Sequence, residues 1–566
     1  MEATTRRQRL VRHGLPALAG LAGAALVAGL AVAALGDSDG ERAGREFAEA
    51  WADRDYERMH GLFTPGARER VSVQELGRAY SEARGLATIV SVSTGEPEED
   101  GDGVRIPSVI TTRAFGTISG DLVLPVADGA LDWRPDLVLP GMPPGSTLSR
   151  RTEAPPRAGI LARDGQVLAE GPADARSTPL GATATNIVGQ LAPAATPDEE
   201  RALFARGFPE GTPIGRTGLE RILEEELAGT PGGTLLAGGR VLGQSEPKAA
   251  EAVRTTIDVD VQAAAVQALG GRLGGIAALD ARTAEVRALA GIAFSAPQPP
   301  GSIFKIITTT AALEEDLVES STRFPVETKA VIDGVDLENA NGESCGGTFE
   351  NSFAHSCNSV FAPLGIRIGA EKLVATAERY GFNAEPSLAG AAPSTMPEAG
   401  DIGSPLELGA SAIGQGRLLV TPLLMASVAQ TVASEGVRRT PTVLPVEGTP
   451  AGERVTSRSV ARTLERLMIG VVESGTGRLA SLAPVKVAGK TGTAELEDTT
   501  DDEDGEERDP DAPPKPPGYD TDAWFTAYAP SRRPELAVTV LLVRNGAGGD
   551  TAAPAAKIVL QAGLRG

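Results

Sequence analysis

Apolar and polar positions change their rhythm several times along this chain. Residues 15–35 form an uncharged apolar run of 21 residues, long enough to span a bilayer as a helix. From residue 41 the positions Phe47, Ala48, Trp51, Tyr56, Met59 and Leu62 recur at helical spacing. Residues 87–92 and 104–124 then alternate as strands around the turn 98–103. Residues 148–252 are rich in Pro and Gly and keep no sustained period. Further on, Pro300-Gly301 ends a loop, and Ile303, Phe304, Ile306 and Ile307 predict a helix driven into a core. Residues 484–488 alternate into a strand that continues through Lys490, with Gly489 and Gly492 permitting close backbone approach. The pattern predicts an α+β, multidomain protein.

Length agrees with that division, since 566 residues suggest three or four domains of ordinary size. The formal charge of −22 and the lack of a basic stripe exclude nucleic acid as a partner. Part of the imbalance is local. Residues 495–511 hold eleven acidic residues against one basic, Arg508, with almost no apolar content, and are expected to form a disordered loop. Gating of a neighbouring cleft is the alternative role for that insert. Before the apolar run stand Arg6, Arg7, Arg9 and Arg12, and after it Asp37, Asp39 and Glu41, which places the short tail inside and the rest outside. Ala31-Val32-Ala33 also fits a processed signal peptide, but the run is long for one, and an uncleaved anchor is the expectation.

The candidate chemistry lies in three strings: Ser302-Ile303-Phe304-Lys305, Ser356-Cys357-Asn358 and Lys490-Thr491-Gly492-Thr493. A serine hydroxyl is a poor nucleophile until a base takes its proton, and residues i and i+3 of a helix share one face. Lys305 is thus placed to deprotonate Ser302. An ammonium serves as a base near neutral pH only when desolvation or a second positive charge lowers its pKa, and Lys490 is the candidate for that charge. At the start of its helix Ser302 would meet backbone N–H groups suited to a developing oxyanion. A P-loop reading of Gly489-Lys490-Thr491 fails, because position 484 is Pro484 where that motif needs Gly.

These strings, in this order, with Trp524-Phe525 after the last, resemble the transpeptidase domain of penicillin-binding proteins. Thr255-Thr256-Ile257-Asp258 with Gln262 resembles the start of that domain, and Ile413-Gly414-Gln415-Gly416 with Val420-Thr421-Pro422 its late all-helical subdomain. The resemblance implies a penicillin-binding/serine β-lactamase-like fold over 253–566, an antiparallel sheet flanked by helices plus an all-helical subdomain. By position it implies Ser302 as nucleophile, Lys305 as base, and Ser356 and Asn358 as cleft residues that relay protons or hold the peptide amide. Lys490, Thr491, Gly492 and Thr493 would bind the substrate carboxylate, and the backbone N–H of Thr493 would join that of Ser302 in an oxyanion hole. Thr283-Ala284-Glu285 and Ser434-Glu435-Gly436 depart from the family's usual turns, away from the chemistry.

The implied activity is peptidoglycan D,D-transpeptidation through a Ser302 acyl-enzyme that β-lactams trap, with carboxypeptidation as a side reaction and no cofactor. A serine β-lactamase and a β-lactam-sensing receptor are the alternatives. Residues 148–252 resemble the pedestal or dimerisation region of class B proteins of the family, opening with the stretch from Arg157 to Gly165. Residues 41–147 resemble the small curved-sheet spacer of methicillin-resistance-type members. The implied order is a cytoplasmic tail 1–14, an anchor 15–35, spacer, pedestal and transpeptidase domain. The expected localisation is the cell membrane, single-pass, with the catalytic domain outside. The expected partners are peptide stems, β-lactams, the membrane and a lipid-II glycosyltransferase, since no glycosyltransferase motif is present in the chain.

The two cysteines are Cys345 and Cys357, twelve positions apart, and Cys357 lies within the second string. In an oxidising exterior they fit a disulfide worth about 3 kcal/mol for so short a loop, the other reading being two free thiols. Two thiols and the scattered His13, His60 and His355 form no metal-ligand cluster and no Ser-His-Asp triad.

Overall fold

The computed structural model describes residues 38–496 and 521–565. The predicted anchor 15–35 with its tail, and the acidic insert from residue 497 onward, lie outside the described residues. Among those described, no helix is long and apolar enough to cross a membrane. The chain divides into two compact units, Met1–Pro155 with Ala195–Glu210 and Thr230–Lys248, and Pro156–Ala194 with Gly211–Gly229 and Ala249–Gly566. The stretch 148–252 is therefore shared between them.

In the first unit the helical spacing read from the sequence becomes the helix Asp39–Asp53, capped by Ser38 in a reciprocal bond with Glu41. Val73–Leu86 is a second long helix. Strands Ile89–Thr94, Gly103–Thr112 and Thr117–Ala127 form an antiparallel sheet, so the apolar stretch 104–124 is a hairpin. Phe47, Trp51, Phe63, Tyr80 and Trp133 pack between helices and sheet, and Trp133 Nε1 donates to the Tyr80 hydroxyl at 3.1 Å. Each such buried ring removes enough apolar area to contribute about 2–3 kcal/mol.

The second unit contains a buried ionic cluster. Arg157 meets Glu220 at 2.6 Å and Glu224 at 2.8 Å, and Arg176 meets the other oxygen of Glu220 at 2.7 Å. The Glu220 side chain is 1% exposed, so its charge is sustained by two guanidinium groups in place of water.

The same unit holds a five-stranded antiparallel sheet: β1 (Gly274–Asp280), β2 (Val286–Gly291), β3 (Ala488–Glu495), β4 (Thr521–Ala529) and β5 (Leu536–Leu542), in the order β2-β1-β5-β4-β3. β5 is buried at every position, because helices cover both faces. α1 (Val259–Leu269) and α7 (Ala552–Gly563) cover one face, and α5 (Pro422–Ala433) and α6 (Arg458–Glu473) pack on the other. α2 (Lys305–Glu314), α3 (Phe349–Ala354) and α4 (Asn358–Ile368) belong to the helical half beside the sheet. β3 begins at Ala488, later than the alternation from 484 suggests. A turn closed by Val485 N–H on the Leu482 carbonyl occupies the preceding residues, and Lys486 reaches out to Glu473 at 2.7 Å.

Candidate active site

The turn that presents Ser302 depends on the residue before it. Gly301 has φ +54°, its N–H donates to the Gly414 carbonyl at 2.8 Å, and a Cβ there would lie 2.6 Å from the Thr493 carbonyl oxygen. Only glycine tolerates both the left-handed backbone and that approach. Gly301–Phe304 forms one tight 3-10 turn, and α2 follows from Lys305. Ser302 thus lies one turn ahead of the α-helix proper, with its side chain half-buried at the cleft.

Lys305 is fully buried. Its Nζ lies 3.0 Å from Ser302 Oγ, 3.1 Å from Ser356 Oγ, 2.7 Å from the Ser356 carbonyl and 2.6 Å from Asn358 Oδ1. The two carbonyl oxygens only accept, so a neutral amine gives them its two N–H groups. Its lone pair is then left facing the two hydroxyls, the arrangement a base requires. Burial, and after it the charge of Lys490, holds the Lys305 pKa well below the usual lysine value.

Lys490 is also fully buried, and desolvation lowers its pKa to about 7. Its Nζ donates to Ser356 Oγ at 2.9 Å and to the Thr491 carbonyl at 3.0 Å. Phe361 and Phe353 lie under the two ammonium positions, at 5.3 and 5.7 Å from Lys305 and Lys490. Among the described residues, no carboxylate hydrogen-bonds to Ser302, Lys305, Ser356, Asn358 or Lys490. Ser356 Oγ therefore joins two lysines that carry no counter-ion.

Ser356 itself sits at φ +61°, a conformation costing about 1 kcal/mol or more for a residue with a Cβ. The next residue, Cys357, is bonded to Cys345, with Cα atoms 5.4 Å apart, so the disulfide reading holds over the free-thiol one. Asn358 opens α4 and turns its Nδ2 to the Glu338 carbonyl at 2.7 Å. In this structure its amide is committed at both ends, to Glu338 and to Lys305.

β3 is the edge of the sheet, which leaves one side of its backbone open. The Thr493 carbonyl points to that side, toward Gly301, and in an antiparallel strand the N–H of the same residue faces the same way. A Cβ on Gly492 would stand 3.0 Å from the Pro300 carbonyl, so the strand packs tightly on the Ser302 turn. Thr493 Oγ1 accepts from the Gly548 N–H at 3.2 Å.

All the sequence-derived residues thus converge, although the three strings lie more than fifty positions apart in turn. One participant was not read from the sequence. Thr476, in the loop after α6, shares a 2.5 Å hydroxyl bond with Thr491 and donates its N–H to the Ala354 carbonyl at 3.1 Å, next to the second string. Its only sequence signal is the small-residue string Gly475-Thr476-Gly477 ahead of β3.

Residues 274–561 match the penicillin binding protein transpeptidase domain, and residues 171–251 match the penicillin-binding protein dimerisation domain. The chain is 35% identical over 301 residues to the peptidoglycan D,D-transpeptidase PbpA of Mycolicibacterium smegmatis, covering 48% of this chain and 56% of that relative. The chain thus spans little more than half of that relative's length. Among solved structures it is similar to the D,D-transpeptidase domain of a peptidoglycan glycosyltransferase from Eggerthella lenta, with TM-score 0.58, 26% identity, and 72% of this chain and 98% of that one covered. It is likewise similar to penicillin-binding protein A from M. tuberculosis in its penicillin G acyl-enzyme complex, with TM-score 0.56, 25% identity, and 72% and 99% covered.

Proposed function

The chain belongs to the penicillin-binding protein transpeptidase family, and from that membership we propose that it is a class B, monofunctional peptidoglycan D,D-transpeptidase. The observation that carries the reading is a buried, uncompensated Lys305 whose Nζ lies 3.0 Å from Ser302 Oγ.

In the proposed cycle Ser302 Oγ attacks the carbonyl of the penultimate D-alanine of a peptide stem as Lys305 takes the hydroxyl proton. The tetrahedral oxyanion is received by the N–H groups of Ser302 and Thr493. Collapse expels the terminal D-alanine, whose amine takes a proton passed from Lys305 through Ser356 Oγ, 3.1 Å away. An amine from a second stem then attacks the Ser302 ester, gives its proton back along the same path, and leaves the cross-linked peptide and free Ser302. Lys490, with Thr491 and Thr493, binds the carboxylate of the donor stem, Gly492 allowing the strand to lie close. A β-lactam carbonyl enters the same position and leaves a stable ester.

A β-lactamase needs a group that activates water against that ester. Among the described residues no carboxylate joins the hydrogen-bonded chain of the site, which favours the transpeptidase reading over that alternative.

The same proposal includes the spacer of methicillin-resistance type over 41–147, the single membrane anchor 15–35 with the catalytic domain outside the cell membrane, and a lipid-II glycosyltransferase as working partner. The run of helices followed by an antiparallel sheet in 39–131 and the charge asymmetry about the apolar run support these readings.

Acylation of the protein by a fluorescent penicillin, followed by intact mass over time, tests the core of the proposal. A long-lived adduct absent in Ser302→Ala is expected. Rapid turnover of the adduct would instead assign a β-lactamase.

A further inference from the structure

A cavity of about 650 Å³ opens where β4 turns into β5, bounded by α5 and α6, and none of the residues of the catalytic strings lines it. Distant parts of the chain bring arginines to it: Arg282 from the turn between β1 and β2, Arg439 beyond α5, Arg462 on α6, and Arg532 and Arg533 on the turn itself. Five guanidinium groups in one cavity run against the balance of a chain with net charge −22.

Their compensation is incomplete. Three carboxylates line the cavity, and Glu435 is already held by Arg458 and Arg462 at 2.8 and 3.0 Å. Burial pushes the Glu465 carboxyl up against the pull of Arg462, Arg466 and Arg532, and Glu535 forms no ion pair among the described residues. Among those residues, Arg282, Arg439, Arg532 and Arg533 form no ion pair either. Arg439 is half-buried and donates only to neutral oxygens, Ser434 Oγ at 2.8 Å and the Pro450 carbonyl at 3.0 Å.

The cavity also presents idle neutral donors. Tyr528 is 1% exposed and lines the wall, yet its hydroxyl has no hydrogen bond among the described residues. Ser531 also lines the cavity, and its hydroxyl likewise forms no hydrogen bond among the described residues. Neither hydroxyl is among the fully enclosed, unpartnered polar atoms, so both open onto the cavity, where a ligand oxygen can take the place of water.

We propose that this cavity binds a phosphate-bearing ligand, gripped by the guanidinium forks of Arg439, Arg532 and Arg533 with Tyr528 and Ser531 as neutral donors. Planar guanidinium forks match the oxygens of phosphate in pairs. A phosphate group, near −2 in charge, also neutralises more of the uncompensated arginine than one carboxylate would. Free phosphate compounds and the phosphodiesters of a wall polymer offer the same chemistry.

Isothermal titration of the full-length protein with inorganic pyrophosphate, and separately with poly(glycerol phosphate), at ionic strength fixed with chloride, tests the site. Saturable binding of at least one probe is expected, and which of them binds identifies the source. The double variant R532E/R533E weakens it on the order of tenfold or more, as loss of charge-assisted bonds requires. Tyr528→Phe weakens it as well, while both variants still take up fluorescent penicillin at the rate of the unaltered protein. Absence of saturable heat with either probe, or equal binding by the variants, overturns the proposal whether or not the protein proves to be a transpeptidase.

Discussion

Lys490 Nζ donates to Ser356 Oγ at 2.9 Å, and that same hydroxyl lies 3.1 Å from Lys305 Nζ. One serine therefore connects two buried amines whose charges repel. The repulsion and the burial act in one direction, toward a neutral Lys305, and the connection gives its proton a route across the cleft.

Replacing Lys305 with Gln keeps a polar side chain and removes the base. Acylation by penicillin should slow by about three orders of magnitude, within the range of lost general-base catalysis. Stopped-flow acylation rates check this, and a loss below tenfold would exclude Lys305 as the base.

The pH dependence follows from the two depressed lysines. Lys305 must be neutral and Lys490 cationic, so acylation should rise with pH as Lys305 loses its proton and fall above about 7 as Lys490 loses its own. The Lys490→Arg variant should move the descending limb to higher pH, since a guanidinium keeps its charge there.

The same shifts set a stability trend. A lysine whose folded pKa is lowered binds fewer protons when folded than when unfolded, so its contribution to stability rises with pH between the folded value and the ordinary 10.5. The penalty is greatest below about 7 and relaxes as pH climbs. Lys490→Met should flatten the melting temperature measured from pH 6 to pH 9.

Thr476→Val removes the hydroxyl that holds Thr491 and keeps the shape of the side chain. Loss of one such bond costs about 1–2 kcal/mol, so acylation by a β-lactam bearing the usual carboxylate should fall about tenfold. The loss should appear in apparent affinity more than in the limiting rate, and Thr476→Ser should restore it. An unchanged affinity would remove Thr476 from carboxylate recognition.

Glu220→Ala would leave Arg157 and Arg176 buried without their shared partner. A cost of about 3–5 kcal/mol is expected, read as a shift in the denaturant midpoint. Replacing Arg157, Arg176 and Glu220 together by apolar residues should cost less than the single change.

The candidate nucleophile and base, the second polar string and the cationic strand were legible in the sequence because each depends on a short spacing. Ser302 and Lys305 share a face by helical geometry alone, and the glycines around Lys490 mark a strand that must approach another backbone. The order of the strings and the apolar periodicity likewise fix the α+β class. What only the folded chain decides is how those strings meet. The lowered pKa of Lys305 depends on burial and on Lys490, 185 positions away, and no local pattern encodes a desolvation. Thr476 and the Glu338 carbonyl, which hold Thr491 and Asn358, carry no chemical signature of their own in a sequence. The arginines of the distal cavity come from separate turns and helices and become one site only when the sheet is assembled. Backbone spacing acts over a few residues and can be read along the chain, whereas charge, burial and cavity shape act through space and exist only once the chain has folded.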